Sequence, residues 1–331
     1  MKLINSINEV LNFGFTDNSL VIKFIDKTIK KGNTSFKAEG KLYDQLEKGY
    51  FFDIKKCLVN IYDLNFKKVI SIEKRGVISV GIIDNLESIL IRWEDEKENE
   101  YYTLYSKNTE LITIPMFRGT ILDQNYRLEY NSYKPTTIKA YNMLNENFLW
   151  EHCLNEEYNI TSKIQKIRKT LLIIAYKQTN KFKKVTGLDL ETGNVIWEHN
   201  FELPYHKNII ATLINPLDEL CYGYYGNQYQ KFNPLTGEIV LQKDIVISDD
   251  SNFNPSKNSI YDNKLWFVGG KGENLKFGAI DIHTSELIFI QDFPLENDEQ
   301  FDVPVYHNEK LYLRGLHKNT LYIFTEELKK S

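Results

Sequence analysis

Long apolar runs are missing from this 331-residue sequence. The longest, Leu171 to Tyr176, is far shorter than the roughly 20 residues a helix needs to span a bilayer, so no membrane helix is expected. The N-terminus, Met1 to Glu9, lacks the apolar core of a secretory signal. Cysteine is scarce. Cys57, Cys153 and Cys221 stand singly with no CxxC spacing, which suits a reducing compartment, and the cytoplasm is the expected location. Each is read as a small residue buried in a strand and not as a nucleophile or ligand. A basic excess is absent too: 41 basic against 45 acidic side chains leave a formal net charge of -4. That argues against a broad nucleic-acid footprint. Helical periodicity is almost nowhere to be found.

What the chain does contain is β-forming material. Hydrophobic residues make up 42% and aromatic residues 13%, mainly 21 Tyr and 19 Phe, types that favour pleated, half-buried surfaces. The clearest unit runs from Lys184 to His199 and reads strand, tight turn, strand. Val185 and Leu188 to Leu190 supply the apolar residues before the turn, and Val195 to Trp197 those after it. Thr192-Gly193 offers a hydroxyl that can bond its own backbone and a residue that tolerates positive φ. A lone hairpin is marginal in water, so the unit must recur or pack.

It recurs. Positions equivalent to Asp189 are Asp63, Tyr105, Asn142, Asn233, Asp281 and, most weakly, Thr325, at intervals of 42, 37, 47, 44, 48 and 44 residues. A second pair of β-rich runs precedes several hairpins: Ile209 to Ile214 with Glu219 to Tyr224, Ser259 to Tyr261 with Leu265 to Val268, and Val303 to Tyr306 with Leu311 to Leu313. A period of roughly 40–50 residues with four short strands per unit, here called A to D, is the signature of a β-propeller. The expectation is an all-β, single-domain propeller over residues 1–331 with seven antiparallel four-stranded blades. Ser19 to Ile25 is expected to complete the last blade beside Leu321 to Phe324, hiding two open edges at once. Eight blades are the alternative.

The stretch Gly187-Leu188-Asp189-Leu190-Glu191-Thr192-Gly193-Asn194-Val195-Ile196-Trp197 resembles the repeat of PQQ-like (quinoprotein-type) propellers. By that resemblance Thr192 and Gly193 join the last two strands, and Trp197 docks on the neighbouring blade. Thr236-Gly237 matches the turn with Leu241 in place of the Trp, whereas Trp150 keeps the Trp with Asn145-Glu146 in place of Thr-Gly. The family includes PQQ-dependent dehydrogenases and non-enzymatic outer-membrane assembly scaffolds. The dehydrogenases carry a vicinal Cys pair and a calcium–quinone site, and no position here receives those ligands. No catalytic, cofactor or metal residue is therefore assigned.

Trp150-Glu151-His152 and Trp197-Glu198-His199 occupy equivalent places. Glu beside His suggests acid/base or metal chemistry, but strand alternation turning Trp inward and Glu outward explains them better. Asp281-Ile282-His283 reads as a turn approach. Gly269 to Asn274 reads as a B–C loop and not a phosphate cradle, since no helix follows. Among Tyr222, Tyr224, Tyr225 and Tyr229, the first contact residue is Tyr225, beside the Gly226-Asn227 turn.

In a four-stranded blade, B–C loops and D–A links emerge at one end, A–B and C–D turns at the other. Sorted this way, the first end collects Glu94, Glu96, Glu156, Glu157, Glu202, Asp249, Asp250, Asp298 and Glu299, with Tyr225 among them. The other end collects Lys67, Lys68, Lys107, Lys166, Arg168 and Lys169. The expected function is a monomeric, non-catalytic module binding a basic protein through this acidic loop face, an inhibitor or immunity-type protein. A quinoprotein or carbohydrate-active enzyme is the alternative.

Overall fold

The computed structural model describes residues 1–16, 19–83, 87–130, 136–154, 158–160, 164–177, 182–202, 209–245, 255–270, 275–293 and 299–326. The chain is an all-β propeller of eight four-stranded antiparallel blades, with a single three-residue 3-10 turn, Leu46–Lys48, among the described residues. It groups into two compact units, residues 11–195 and residues 196–331 together with 1–10.

In the first unit, blade 1 runs through Val10–Thr16, Ser19–Phe24, Thr28–Lys31 and Thr34–Lys37. Blades 2, 3 and 4 begin at Lys41, Val77 and Gly119 and end at Glu73, Pro115 and Cys153. Blade 5 has a divided A strand, Tyr158–Ile160 and Gln165–Ile167, both pairing with Thr170–Lys177. Its C strand is Phe182–Asp189. Its D strand, Val195–Glu202, starts at the last residue of that unit, and in the second unit blades 6 and 7 run from Leu213 to Asp244 and from Pro255 to Asp292.

The preference for seven blades is corrected to eight. Blade 1 escapes a period search because its C and D strands have only four residues each and turn through Gly32, at φ 56°, with no Asp-x-x-Thr-Gly signal. Ser19–Phe24 is the B strand of that blade and not the closing strand. The last blade, Val305–His307, Lys310–Arg314 and Leu321–Thr325, takes its fourth strand from Lys2–Ile7. Lys2 pairs with Thr325 and Ile7 with Leu321. The N-terminus does complete the last blade, through an earlier segment than expected.

The recurring Asp or Asn is explained by its hydrogen bonds. Asp189 Oδ1 accepts from the amides of Glu191 and Thr192 and from the Thr192 hydroxyl, at 2.8 to 3.0 Å. Asn142, Asn233, Asp281 and Asp63 accept from amides two to four residues ahead in the same way. Such a side chain holds the turn that ends strand C and starts strand D. Four residues after the Asx, the backbone takes positive φ at Glu146, Gly193, Gly237 and Ser285. Only two of these are glycine, which is why the Thr-Gly signature fades while the turn persists.

At those two glycines a second constraint acts. A Cβ on Gly193 would lie 2.5 Å from the Trp150 indole, and one on Gly237 would lie 2.7 Å from the Trp197 indole. Each tryptophan sits flat on the next blade's turn and donates into it, Trp150 Nε1 to Leu190 O at 2.8 Å and Trp197 Nε1 to Pro234 O at 3.0 Å. The docking implied by the repeat is what the structure shows. His199 follows on the same strand face and bonds Gly237 O at 2.6 Å. Lys243, the corresponding residue one blade on, reaches Ser285 O at 3.2 Å. The Trp-Glu-His segments are interblade clasps.

Strand C of blade 5 carries an expensive feature. Lys183 and Lys184 are both buried, with their ammonium groups over the rings of Tyr176 at 5.7 Å and Tyr158 at 5.1 Å. Burial lowers the Lys183 pKa from its ordinary 10.5 to about 8. Below pH 8 both folded and unfolded chains hold the proton, and the burial penalty is fully present. Between pH 8 and 10.5 the folded chain sheds it first, so stability should rise with pH across that window. Lys183→Met should add about 1–3 kcal/mol at pH 7 and abolish the rise. Urea titrations at pH 7, 8.5 and 10 test this; an unchanged pH slope in the variant rejects it.

Candidate functional site

In the first unit, the B–C loop of blade 3 joins Ile89–Glu94 to Glu100–Ser106. Asp95 builds it: its carboxylate accepts from the amides of Lys97 and Asn99 at 2.8 and 2.9 Å and from the Asn99 side chain. Glu96 is exposed at the tip, while Glu94 is half-buried at the strand end. The acidic run is thus part turn chemistry and part surface charge.

In the second unit, the B–C turn of blade 6 joins Cys221–Tyr225 to Gln228–Phe232. Its two central residues, Gly226 and Asn227, have φ of 54° and 65°, the left-handed pair of a tight hairpin whose twist matches the strands. Tyr222, Tyr224 and Tyr229 are buried, and Tyr224 donates to Ile245 O at 2.9 Å. Asn258 donates to Tyr224 O at 3.0 Å. Tyr225, next in line, is 45% exposed. An aromatic side chain is thus exposed on a turn braced from below, while its three tyrosine neighbours are buried.

Glu202 is exposed at the end of the blade 5 D strand. Glu299 is not a surface residue: it is 2% exposed, and its carboxylate accepts from the amides of His317 and Lys318 at 2.6 and 3.2 Å. It packs against Gly315 and pins the B–C loop of blade 8. Its assignment to a binding face is corrected for that reason, since loop position in sequence says nothing of which side chains fold under. Glu156, Glu157, Asp249, Asp250 and Asp298 lie outside the described residues.

At the opposite blade ends of the first unit, three of the lysines are matched by acids. Lys107 pairs with Glu87 at 3.1 Å, Lys169 with Glu191 at 2.8 Å, and Lys166 with Asp123. Among the described residues, no three His, Cys, Asp or Glu side chains gather as a metal site. Asp281 and His283 are turn residues. Cys221 is buried as expected, with its thiol pushed up to about 12 by burial and then by Asp218. Cys153 is exposed and Cys57 half-buried, against expectation.

One feature was not anticipated from residue order. Between blades 3 and 4 lies a cleft of about 540 Å³ whose wall includes Arg127, itself only 6% exposed. The signal was in the alternation Tyr126-Arg127-Leu128-Glu129-Tyr130 and Thr137-Ile138-Lys139-Ala140-Tyr141. Both inner strands place charges on one face, where a propeller ordinarily buries apolar residues.

The architecture and loop ends define a β-propeller, and comparison with solved structures agrees. BamB from Moraxella catarrhalis is similar over 98% of this chain and 99% of its own, at 12% identity and a TM-score of 0.53. The C-terminal WD40 domain of Sif2 is similar over 98% of each chain, at 7% identity and a TM-score of 0.63. The Dos1 propeller is similar over 98% of this chain and 94% of its own, at 11% identity and a TM-score of 0.55. At such identities the likeness is one of fold. No protein-family model and no curated protein sequence matches the chain. No helix among the described residues is long and apolar enough to cross a membrane.

Proposed function

We propose that this chain is a non-catalytic, protein-binding propeller with a PQQ-like repeat. The observation that carries the reading is Tyr225, an exposed aromatic on a braced two-residue turn, since rigid aromatics are characteristic interface anchors with little ordering cost. The exposed carboxylates of Glu96 and Glu202 leave from the corresponding blade ends in their respective units, which supports a partner of basic character. Charge complementarity there speeds encounter more than it deepens affinity. A monomeric cytoplasmic inhibitor or immunity-type protein, folded as one domain, is the finer form of the proposal. The Glu–His pairs that suggested chemistry are consistent with it, because His199 is engaged in holding a turn.

Affinity capture from the native host with mass spectrometry supplies the partner. Tyr225→Ala, a surface change, should lower its affinity at least tenfold, as the loss of an anchor residue does. Glu96→Lys should slow association at low salt and have little effect at high salt. A captured partner indifferent to Tyr225→Ala rejects the blade 6 turn as its contact, and one indifferent to Glu96→Lys rejects the blade 3 loop.

A further inference from the structure

We infer that the outer groove between blades 2 and 3 receives an aromatic side chain, an indole first of all, from a protein partner. The repeat explains why a groove is there. At three other junctions of the first unit, the D strand of one blade covers an apolar residue that follows the Asx position of the next blade's turn. Phe36 packs against the cluster that holds Leu64, Ile112 against the one that holds Met143, and Trp150 bonds Leu190 O. Leu64, Met143 and Leu190 are all buried.

The junction between blades 2 and 3 departs from this at three positions. Ile70 is the first paired residue after the bulge of its D strand, the place that Trp150 holds two blades on. Tyr105 replaces the Asx, and Ser106 replaces the apolar residue after it. With no Asx side chain to curl it, the turn runs straight. Tyr105 pairs with Glu110 and Ser106 with Thr109, so only Lys107 and Asn108 remain to make the reversal, Lys107 at φ 56°. What is left is a cavity of about 420 Å³, walled by Val69, Ile70 and Ser71 on one side and by Lys107 and Asn108 on the other.

The chain's own occupant of this place, where it has a large one, is an indole lying on the next turn. The chemistry of the walls suits the same group. Val69 is an aliphatic residue 36% exposed on the strand bulge, and covering it and Ile70 removes apolar surface from water. Lys107, whose ammonium pairs with Glu87 at 3.1 Å, contributes its apolar stem. The exposed Asn108 offers a side-chain carbonyl to an indole N–H. Ser71, Lys107 and Asn108 leave the rim open to solvent, unlike a small-molecule site, which encloses most of its ligand. A side chain carried by a partner brings its own backbone to close that rim. This end of blade 3 is opposite to the Glu96 loop, so the inference stands apart from that surface.

The test uses the full chain, methyl-labelled at valine and isoleucine, and follows Val69 and Ile70 by NMR. N-acetyl-L-tryptophanamide should shift both signals upfield in a saturable way at millimolar concentration, and N-acetyl-L-leucinamide should not. A capped Ser-Leu-Trp-Ser peptide should bind at least as tightly as free indole. Val69→Glu, at an exposed residue, should keep the fold and weaken binding of the tryptophan amide about tenfold. Ile70→Trp, which places the chain's own indole in the groove, should raise the melting temperature by a few degrees and abolish the shift at Val69. No saturable shift, an equal response to the leucine amide, or indifference to Val69→Glu overturns the inference. Free indole binding more tightly than the peptide overturns it in favour of a small-molecule site. An Ile70→Trp chain that melts lower, or still binds the peptide, overturns it because the groove is then no seat for an indole.

Discussion

Trp197→Ala is expected to cost about 3–5 kcal/mol of stability, the range for emptying a large aromatic site. Three separate losses add up there. The indole is 9% exposed and makes an edge contact with Phe232 at 5.4 Å between ring centres. Its N–H satisfies the carbonyl of Pro234, which is buried and would be left without that donor. Its face fills the seat over Gly237. Trp197→Phe, which keeps part of the volume but not the donor, should cost less, about 1–3 kcal/mol. Urea unfolding measures both, and a loss for Trp197→Ala below about 1 kcal/mol would place it in the range of surface changes.

Gly237→Ala tests the other half of the contact. The added methyl would meet the indole and the backbone would be held at φ 78°, so the single change is destabilising. With Trp197 already cut to Ala the clash is gone and only the backbone strain remains. The pair should therefore cost less than the sum of the two, the mark of a direct contact.

Removal of residues 1–9 is the second large effect. It strips Lys2–Ile7 from the last blade and leaves Leu321–Thr325 as a bare edge. Met1 and Leu3 also leave a core that includes Phe277, Tyr322 and Phe324, and Gln291 loses the Met1 carbonyl that it bonds at 2.8 Å. An open edge flanked by newly exposed aromatics is a template for pairing with another chain. The truncated protein should melt at least several degrees lower and aggregate on heating. A synthetic peptide of residues 1–10, added in excess, should restore the melting temperature, because the strand binds the folded state alone. A truncated chain that stays monodisperse with unchanged melting removes this strand from the account of closure.

Much of the architecture is legible without coordinates because its signals are local. Asp63, Asn142, Asp189, Asn233 and Asp281 each bond amides within four residues, so the turn they make is written in a short window. The alternation on either side then assigns the strands, and repetition of the window assigns the fold class. Trp150 and Trp197 were placed through the resemblance of the repeat, and the positive φ of Gly193 and Gly237 shows why glycine is preferred there. The same locality explains the undercount of blades. Blade 1 turns through Gly32 with four-residue strands, a hairpin too plain to stand out from loop sequence.

Other features depend on which distant segments meet. Lys2–Ile7 and Ser19–Phe24 are both short β-rich runs, and only pairing partners separated by more than 300 residues choose between them as the closing strand. Glu299 sits in a link rich in acids, yet the amides of His317 and Lys318 draw it under a loop. Arg127 and Glu129 would be an unremarked polar pair on a strand. Packing of blade 3 against blade 4 makes one of them a buried guanidinium beside a cleft. The repeat, its turns and its strand faces are local properties of the chain, since each rests on hydrogen bonds and alternation within about ten residues. Blade number, closure and the polarity of the space between blades were decided by the tertiary structure, because burial and partner choice belong to surfaces brought together from far apart in the chain.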